Sequence, residues 1–580
     1  MQPASLVQTE MYLAYDVGST HTRAYLFDVV EGVYRLVAIG YSPTTAFAPL
    51  GDPRLGRPMG DAWEGARRAT EHLAELVGLP LLDEEGSLAV ASLPEGPATA
   101  FAMASFGEPV RAVLMGILPS LSLASLQRVV ADTYTQVVEV FSAVDSDDPE
   151  TRLTRLIEAF PDVVLLAGGT DQGAENVLLE YAHLLRQAAT FWPLAQRPWI
   201  LYAGNANVAE AIKEQLGKYF EVRVADNVRP SLTEERLGPA REAYWDIVRH
   251  WWIDRYPGLD HVFEETEGRL TFTAEGFRRA ARILHAYHAP SGSGMALDVG
   301  SRYTYVWYGP RPEDVQARVV VQGLGWGLHA RLDDPAFVEE VSQHSGLEPA
   351  EVRNFLYHKA LYPDTLPMSD TELALEEALA ETLIAGQVRE AWRTRTPSLS
   401  FALLRGGVFR GAPHPSRALL TALHGLQPLG VTVLVVDLTG AIPAFGVLAE
   451  LNHYAAVHLM GSVHLAPLAV VVSPRWRTGR RGVGEVLGEL TLTYSNGEHM
   501  SLTMQRGLLQ RLPLAPGRVG LLSIVPKRGV DVGAGYGVAV EIEVPGGLMG
   551  VIVDNRGRPL PSDALTDKAR WTAMLPATLA

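Results

Sequence analysis

The feature that most narrows what this chain can become is a hairpin that occurs twice. In the first copy, Leu13 to Tyr15 form an apolar run that ends at Asp16. Gly18, Ser19 and Thr20 make a small polar reversal, and Ala24 to Phe27 return as a second apolar run. In the second copy, Met295 to Leu297 lead to Asp298-Val299-Gly300-Ser301, two residues intervene, and Thr304 opens another apolar run to Tyr308. Aspartate and glycine in a turn can serve geometry alone. The same order appearing twice predicts two related lobes, each presenting an acidic glycine turn to a shared cleft. Glycine lets backbone amides approach an anion, the hydroxyls of Ser19, Thr20 and Thr22 can donate to phosphate oxygens, and Asp16 at a strand end can hold a hydrated Mg2+.

Length and charge limit the remaining possibilities. A chain of 580 residues is too long for one core, and 47% hydrophobic with 20% charged residues is a globular composition. A net charge of -17 argues against nucleic acid or an anionic membrane as the main partner. The absence of cysteine excludes disulfides, thiolate zinc sites and a cysteine nucleophile. Lysine occurs only at 213, 218, 359, 527 and 568, none in a glycine-rich turn, so a P-loop is excluded. The first ten residues lack a secretory pattern and no apolar run is long enough to span a bilayer, so a cytoplasmic location is expected.

Along the chain, residues 34 to 39 continue the first hairpin into a meander, and Asp61 caps a helix over 62 to 76. Strands are expected at 88 to 92 and 110 to 116, and a long amphipathic helix at 123 to 141. Residues 163 to 166 form an aliphatic strand that flows into Gly168-Gly169-Thr170-Asp171 and a helix from 174, and Trp199 to Asn205 repeats the pattern. This alternation indicates a partly parallel sheet, and Gly168, Gly169 and Thr170 form a phosphate-sized loop at a helix N-terminus. The close-set Trp245, Trp251 and Trp252 are read as helical core. A basic helix over 273 to 288 connects the lobes, and the acidic residues from 372 to 394 are expected to form a solvated face. Residues 403 to 408 supply a strand and the pair Gly406-Gly407, followed by a loop with Pro413 and Pro415 and a helix over 417 to 424; two adjacent glycines leave a flat surface for a purine or ribose. From about 458, alternating runs separated by turns predict a compact all-β sandwich or barrel, with the loop aspartates at 531 and 554 read as turn residues.

Asp16 to Thr22, Asp298 to Thr304 and Gly406-Gly407, in this order, resemble the two phosphate motifs and the adenosine motif of the actin, Hsp70 and sugar-kinase superfamily. Within it, the stretches from Leu166 to Asn176, Tyr202 to Asn205, Asn227 to Pro230 and Leu426 to Thr432 are similar to the glutamate mutase L-component family. The likeness covers roughly residues 10 to 455. It implies an α/β, two-lobed actin-like ATPase fold of duplicated ribonuclease H-like lobes with a C-terminal all-β domain. The corresponding domains are 1–255 (first lobe with an inserted α/β segment), 256–457 (second lobe) and 458–580 (β module).

The resemblance also implies an ATP-binding reactivating chaperone, a possible Mg2+-dependent ATPase, for an adenosylcobalamin-dependent mutase. Asp16 and Asp298 would hold Mg2+ or the attacking water. Gly18, Ser19, Thr20, Thr22 and Arg23 would cradle the terminal phosphates, with Gly300, Ser301 and Thr304 opposite, and Gly406 and Gly407 would face the nucleoside. The second turn departs from the family pattern: a glycine and the trailing aspartate are lost, and Arg302 and Tyr303 stand in the turn. Binding without turnover, a silent actin-like scaffold that assembles with other subunits, and a small-molecule kinase with Asp171 as base are the competing expectations.

Overall fold

The computed structural model describes residues 11–46, 60–89, 98–392, 398–477 and 482–575. The chain divides into two compact units. One comprises 1–44, 64–106 and 263–580, and the other 45–63 and 107–262.

The first unit begins with β1 (Met11–Val17), β2 (His21–Val30) and β3 (Val33–Pro43), an antiparallel meander. Helix α1 (Ala62–Val77) follows, with Asp61 Oδ1 accepting from the Trp63 amide at 2.8 Å as its cap. Next comes β4 (Ala98–Ala104), which runs parallel to β1. The chain then builds the second unit: β5 (Val110–Gly116), α2 (Ala124–Val130), β6 (Thr135–Ser142), α3 (Pro149–Ala159), β7 (Val163–Leu166), α4 (Asn176–Ala188), β8 (Trp199–Tyr202), α5 (Ala209–Leu216), β9 (Val222–Val224), α6 (Gly238–Arg255) and the start of α7 (Leu259–Glu265). Its five strands are all parallel, in the order β6-β5-β7-β8-β9, a doubly wound sheet. Trp252 on α6 is buried and stacks on Tyr134, in keeping with a core role.

Back in the first unit, β10 (Leu270–Phe272) pairs parallel with β4 and leads into α8 (Thr273–His288). The first lobe's sheet therefore reads β10-β4-β1-β2-β3. The second lobe repeats the plan with β11 (Gly294–Val299), β12 (Thr304–Arg311) and β13 (Asp314–Val320) as an antiparallel meander. Helices α9 (Pro335–Ser345), α10 (Pro349–Leu361) and α11 (Asp370–Ala391) follow. Then come β14 (Phe401–Gly406), α12 (Gly407–Arg410), α13 (Pro415–Leu426), β15 (Gly430–Val436), α14 (Ile442–Leu451) and α15 (His453–Met460). Strands β14 and β15 lie parallel to β11, so both lobes carry a three-stranded meander flanked by two parallel strands. This duplicated ribonuclease H-like topology is the actin-like ATPase fold.

The two lobes meet through helices α8 and α14. Backbone touches backbone there: a Cβ on Gly446 would lie 1.9 Å from the Gly276 carbonyl oxygen, so only glycine fits.

The C-terminal strands are β16 (Ala469–Ser473), β17 (Arg475–Trp476), β18 (Val486–Tyr494), β19 (His499–Gln505), β20 (Leu509–Leu512), β21 (Val519–Pro526), β22 (Val530–Asp531), β23 (Val540–Pro545) and β24 (Val551–Asp554). Strands β16, β24 and β20 extend the second lobe's sheet beyond β15, and an antiparallel sheet of order β19-β18-β21-β23 packs with them through a shared aliphatic core. Asp531 takes the amides of Gly533 and Gly535 at 2.8 and 2.9 Å, a turn role. Two helices, α16 (Ser562–Thr566) and α17 (Lys568–Ala573), return to the second lobe, where Leu565, Trp571 and Leu575 enter its core.

Three sequence expectations are corrected. The helix expected over 123 to 141 ends at Val130, where the Thr133 hydroxyl bonds the Val130 carbonyl, and residues 135 to 142 pair with β5 as a strand; β-branched Val137, Val138 and Val140 favour that pairing. The strand expected at 88 to 92 is reduced to one bridge between Leu82 and Leu88, with 90 to 92 outside the described residues. The partner of β1 is instead the small-residue strand β4. The acidic face of α11 is not wholly solvated. Glu377 and Glu381 are 2% and 0% exposed and bind Arg417, Lys568, His344 and His424, which ties α9, α13 and α17 to α11.

Candidate functional site

The site lies at the strand ends of the first unit. Asp16 occupies the last turn-facing position of β1, with Arg23 opposite it on β2 and Met103 beside it on β4. In the second lobe, Asp298 holds the corresponding place on β11, with Tyr305 opposite and Arg405 beside it on β14. Asp16 is 1% exposed. The two aspartates meet on one side chain: a terminal nitrogen of Arg405 donates to Asp298 Oδ2, and the other donates to Asp16 Oδ2. The Arg405 Nε stands 3.5 Å from Oδ2 of Asp437, at the end of β15. Arg23 adds a second cation, 3.5 Å from Asp16 Oδ2, and the Thr273 hydroxyl donates to Asp16 Oδ1 at 2.9 Å.

Three carboxylates thus surround one guanidinium. Burial alone would lower the Arg405 pKa, but Asp298, Asp16 and Asp437 hold it well above its ordinary value, so the charge is permanent. Burial pushes Asp298 above the usual carboxylate value against the pull of Arg405. Its Oδ1 is buried and has no hydrogen-bond partner among the described residues.

The glycine turns are tightly tied. Gly18 N donates to the His21 carbonyl at 3.1 Å, Thr44 donates to the Gly18 carbonyl at 2.7 Å, and the Thr22 and Thr44 hydroxyls pair at 3.1 Å. Ser19 donates to the Ser105 carbonyl, and Thr20 pairs with the His21 ring. In the second turn, Thr304 donates to the Gln322 carbonyl, and the amides of Leu324 and Gly325 return to Gly300 and Ser301. Thr22 and Thr304 are both fully buried. Their hydroxyls brace the turns internally. Arg302 and Tyr303 are also buried, Arg302 against the Trp326 ring at 5.7 Å, and the group between the aspartates is Arg405.

Gly406 and Gly407 play different parts. A Cβ at Gly406, whose φ is 149°, would lie 2.4 Å from the Val299 carbonyl oxygen, so its bareness serves the approach of β14 to β11. Around Gly407 there is open space. Nearby, Arg410 lies over the Tyr41 ring at 5.6 Å; burial and the charge of Arg23 lower its pKa. Burial and the charges of Arg23 and Arg410 hold His21 at about 4, so it is neutral at pH 7.

Gly168, Gly169 and Thr170 belong to the other unit. They form the loop after β7, where the Asn227 amide bonds the Gly169 carbonyl at 3.0 Å and Asp171 at 2.9 Å.

A Mg2+ shared by Asp16 and Asp298 does not fit this arrangement. Both inward oxygens already accept from Arg405. Among the described residues of the site, one carboxylate oxygen, Oδ1 of Asp298, is unpartnered, and the cations are Arg23, Arg405 and Arg410.

Arg405 carries the centre of the site, and sequence reading assigned it no role. Its signal was present: an arginine within Phe401-Ala-Leu-Leu404, an aliphatic strand, must be buried, and a buried arginine requires acidic partners. What the sequence lacked was the register that sets Arg405 beside Asp298.

A protein-family model described as MutL protein matches residues 12–463. A curated relative, Protein MutL of Clostridium tetanomorphum, is 25% identical over 320 residues, covering 54% of this chain and 61% of the relative, so the match spans less than two thirds of that protein. Among solved structures, a nucleotide-free acetone carboxylase is similar at 12% identity over 76% of this chain and 70% of its own, with a TM-score of 0.35. Glycerol dehydratase reactivase is similar at 11% identity over 76% and 100%, with a TM-score of 0.29.

Proposed function

The chain belongs to the MutL protein family, and on that premise we propose that it is a nucleotide-binding reactivating chaperone for an adenosylcobalamin-dependent mutase of the cytoplasm, of the glutamate mutase type. The observation that carries this reading is the meeting of Asp16 and Asp298, equivalent positions of two equivalent lobes, at one buried point. A ligand between lobes hinged at α8 and α14 binds their relative arrangements unequally, and that difference can be passed to a protein partner. Phosphates would lie against the backbone of the 18 to 20 and 300 to 301 turns with Arg23 and Arg410 as counter-charges, and the nucleoside over Gly407. ATP supplies the differential binding energy. The chain's own residues position the phosphates and exclude water, and no covalent intermediate is needed.

Calorimetry with ATP and with ADP tests the reading. The expected result is saturable binding that weakens on Arg23→Ala; no binding of either nucleotide overturns it. The seat of Arg405 between the aspartates favours a second reading, an actin-like assembly protein that binds its partner without nucleotide. A partner complex that forms equally well with and without ATP, in wild type and Arg23→Ala alike, would establish that one instead.

A further inference from the structure

We infer that Arg405 is a resident cation standing where a divalent metal would join the two lobes, so that this cleft recognises a metal-free phosphate anion. The nucleotide arm of this inference rests on the reading above; the metal arm does not. Two facing carboxylates buried at strand ends cannot remain ionised without a cation between them. The usual remedy is a Mg2+ bound through one or two carboxylates together with substrate phosphates and water. Here the cation is covalently part of β14, held beside Asp298 by the sheet register and bonded to both Asp298 and Asp16.

Its third nitrogen faces Asp437, and that carboxylate is held in turn by the amides of Gly440 and Ile442 at 2.7 and 3.1 Å. The guanidinium is therefore hydrogen-bonded through its two terminal nitrogens, and the charge of Asp437 faces its Nε without a hydrogen bond among the described residues. A cation so built in cannot be removed by chelators, and it leaves the acid pair without lone pairs directed at a metal, save Asp298 Oδ1. Phosphate oxygens would then be met by guanidinium groups. Arg23, whose Nε is buried and lacks a hydrogen-bond partner among the described residues, is a donor open to that task.

The experiment uses the full chain and Mn2+ as a spectroscopic probe. Wild type is expected to hold no Mn2+ that depends on Asp298. Arg405→Ala, which leaves the two carboxylates facing each other, should bind Mn2+ at least about tenfold more tightly than wild type. Adding Asp298→Asn to that variant should abolish the gain, and Arg405→Lys, which keeps a cation, should not show it. Wild-type Mn2+ binding that disappears in Asp298→Asn overturns the inference and requires no folding of the Arg405 variants. ATP affinity in wild type should be at least as high in chelator as in excess Mg2+, which removes the metal-free anion from solution by binding it. Binding only with Mg2+ overturns the inference and leaves the chaperone reading standing. Absence of ATP binding in both removes that reading, and the Mn2+ comparison alone then decides this one.

Discussion

At the scale of single residues, buried charge gathers in the cleft and around Glu381. In the cleft, Arg405 offsets Asp16 and Asp298, and removing it strands Asp298 and leaves Asp16 with Arg23 alone as a counter-charge. Arg405→Ala should therefore destabilise the fold by roughly 3 to 5 kcal/mol in urea denaturation. Most of that loss should return when Asp16 and Asp298 are also made asparagine, since the cost is the uncompensated charge. The second place is Glu381, fully buried between His344, His424 and Lys568. Arg556 donates to His424 Nε2 at 2.9 Å, so that nitrogen carries no proton, and burial holds the His424 pKa at about 4 against an ordinary 6.5. The unfolded chain takes up this proton first. Stability from His424 is thus complete above pH 6.5 and is lost as pH falls toward 4, with a slope of up to about 1.4 kcal/mol per pH unit. Denaturation midpoints across that range should fall with pH, and His424→Gln should flatten the fall.

At the scale of elements, the repeated hairpin and the helix α8 were legible in the sequence because local patterning determines them. Strand β4 was not. Its residues, Ala98 to Ala104, are mostly small and are selected for a central place between β1 and β10, a non-local condition. By sequence, strand β6 reads as the continuation of a helix because its apolar positions follow directly on those of α2; the parallel pairing with β5 separates the two. The crossing of α8 and α14 carries its own prediction. A methyl group at Gly446 would collide with the Gly276 carbonyl, so Gly446→Ala should cost about 1 to 3 kcal/mol or more and lower the melting temperature. Gly407→Ala, placed in open space, should leave the melting temperature nearly unchanged.

At the scale of the whole molecule, the C-terminal strands β16, β24 and β20 extend the second lobe's sheet, and the C-terminal helices enter its core. Lys568 on α17 pairs with Glu377 and Glu381 of α11, and Trp571 lies in the core beside them. Trp571→Ala should destabilise by about 3 to 5 kcal/mol, read as earlier proteolysis of the second lobe in a limited digest. The sequence by itself determined that there are two similar lobes, that each presents an aspartate at a glycine turn, and that the chain carries the family's motifs; these are matters of local order, and local order is written residue by residue. The tertiary structure alone decided that an arginine of a third strand joins those aspartates and that the turn hydroxyls face inward. Both depend on strand register and on the cost of burying charge without a partner, and neither quantity exists until distant segments are packed together.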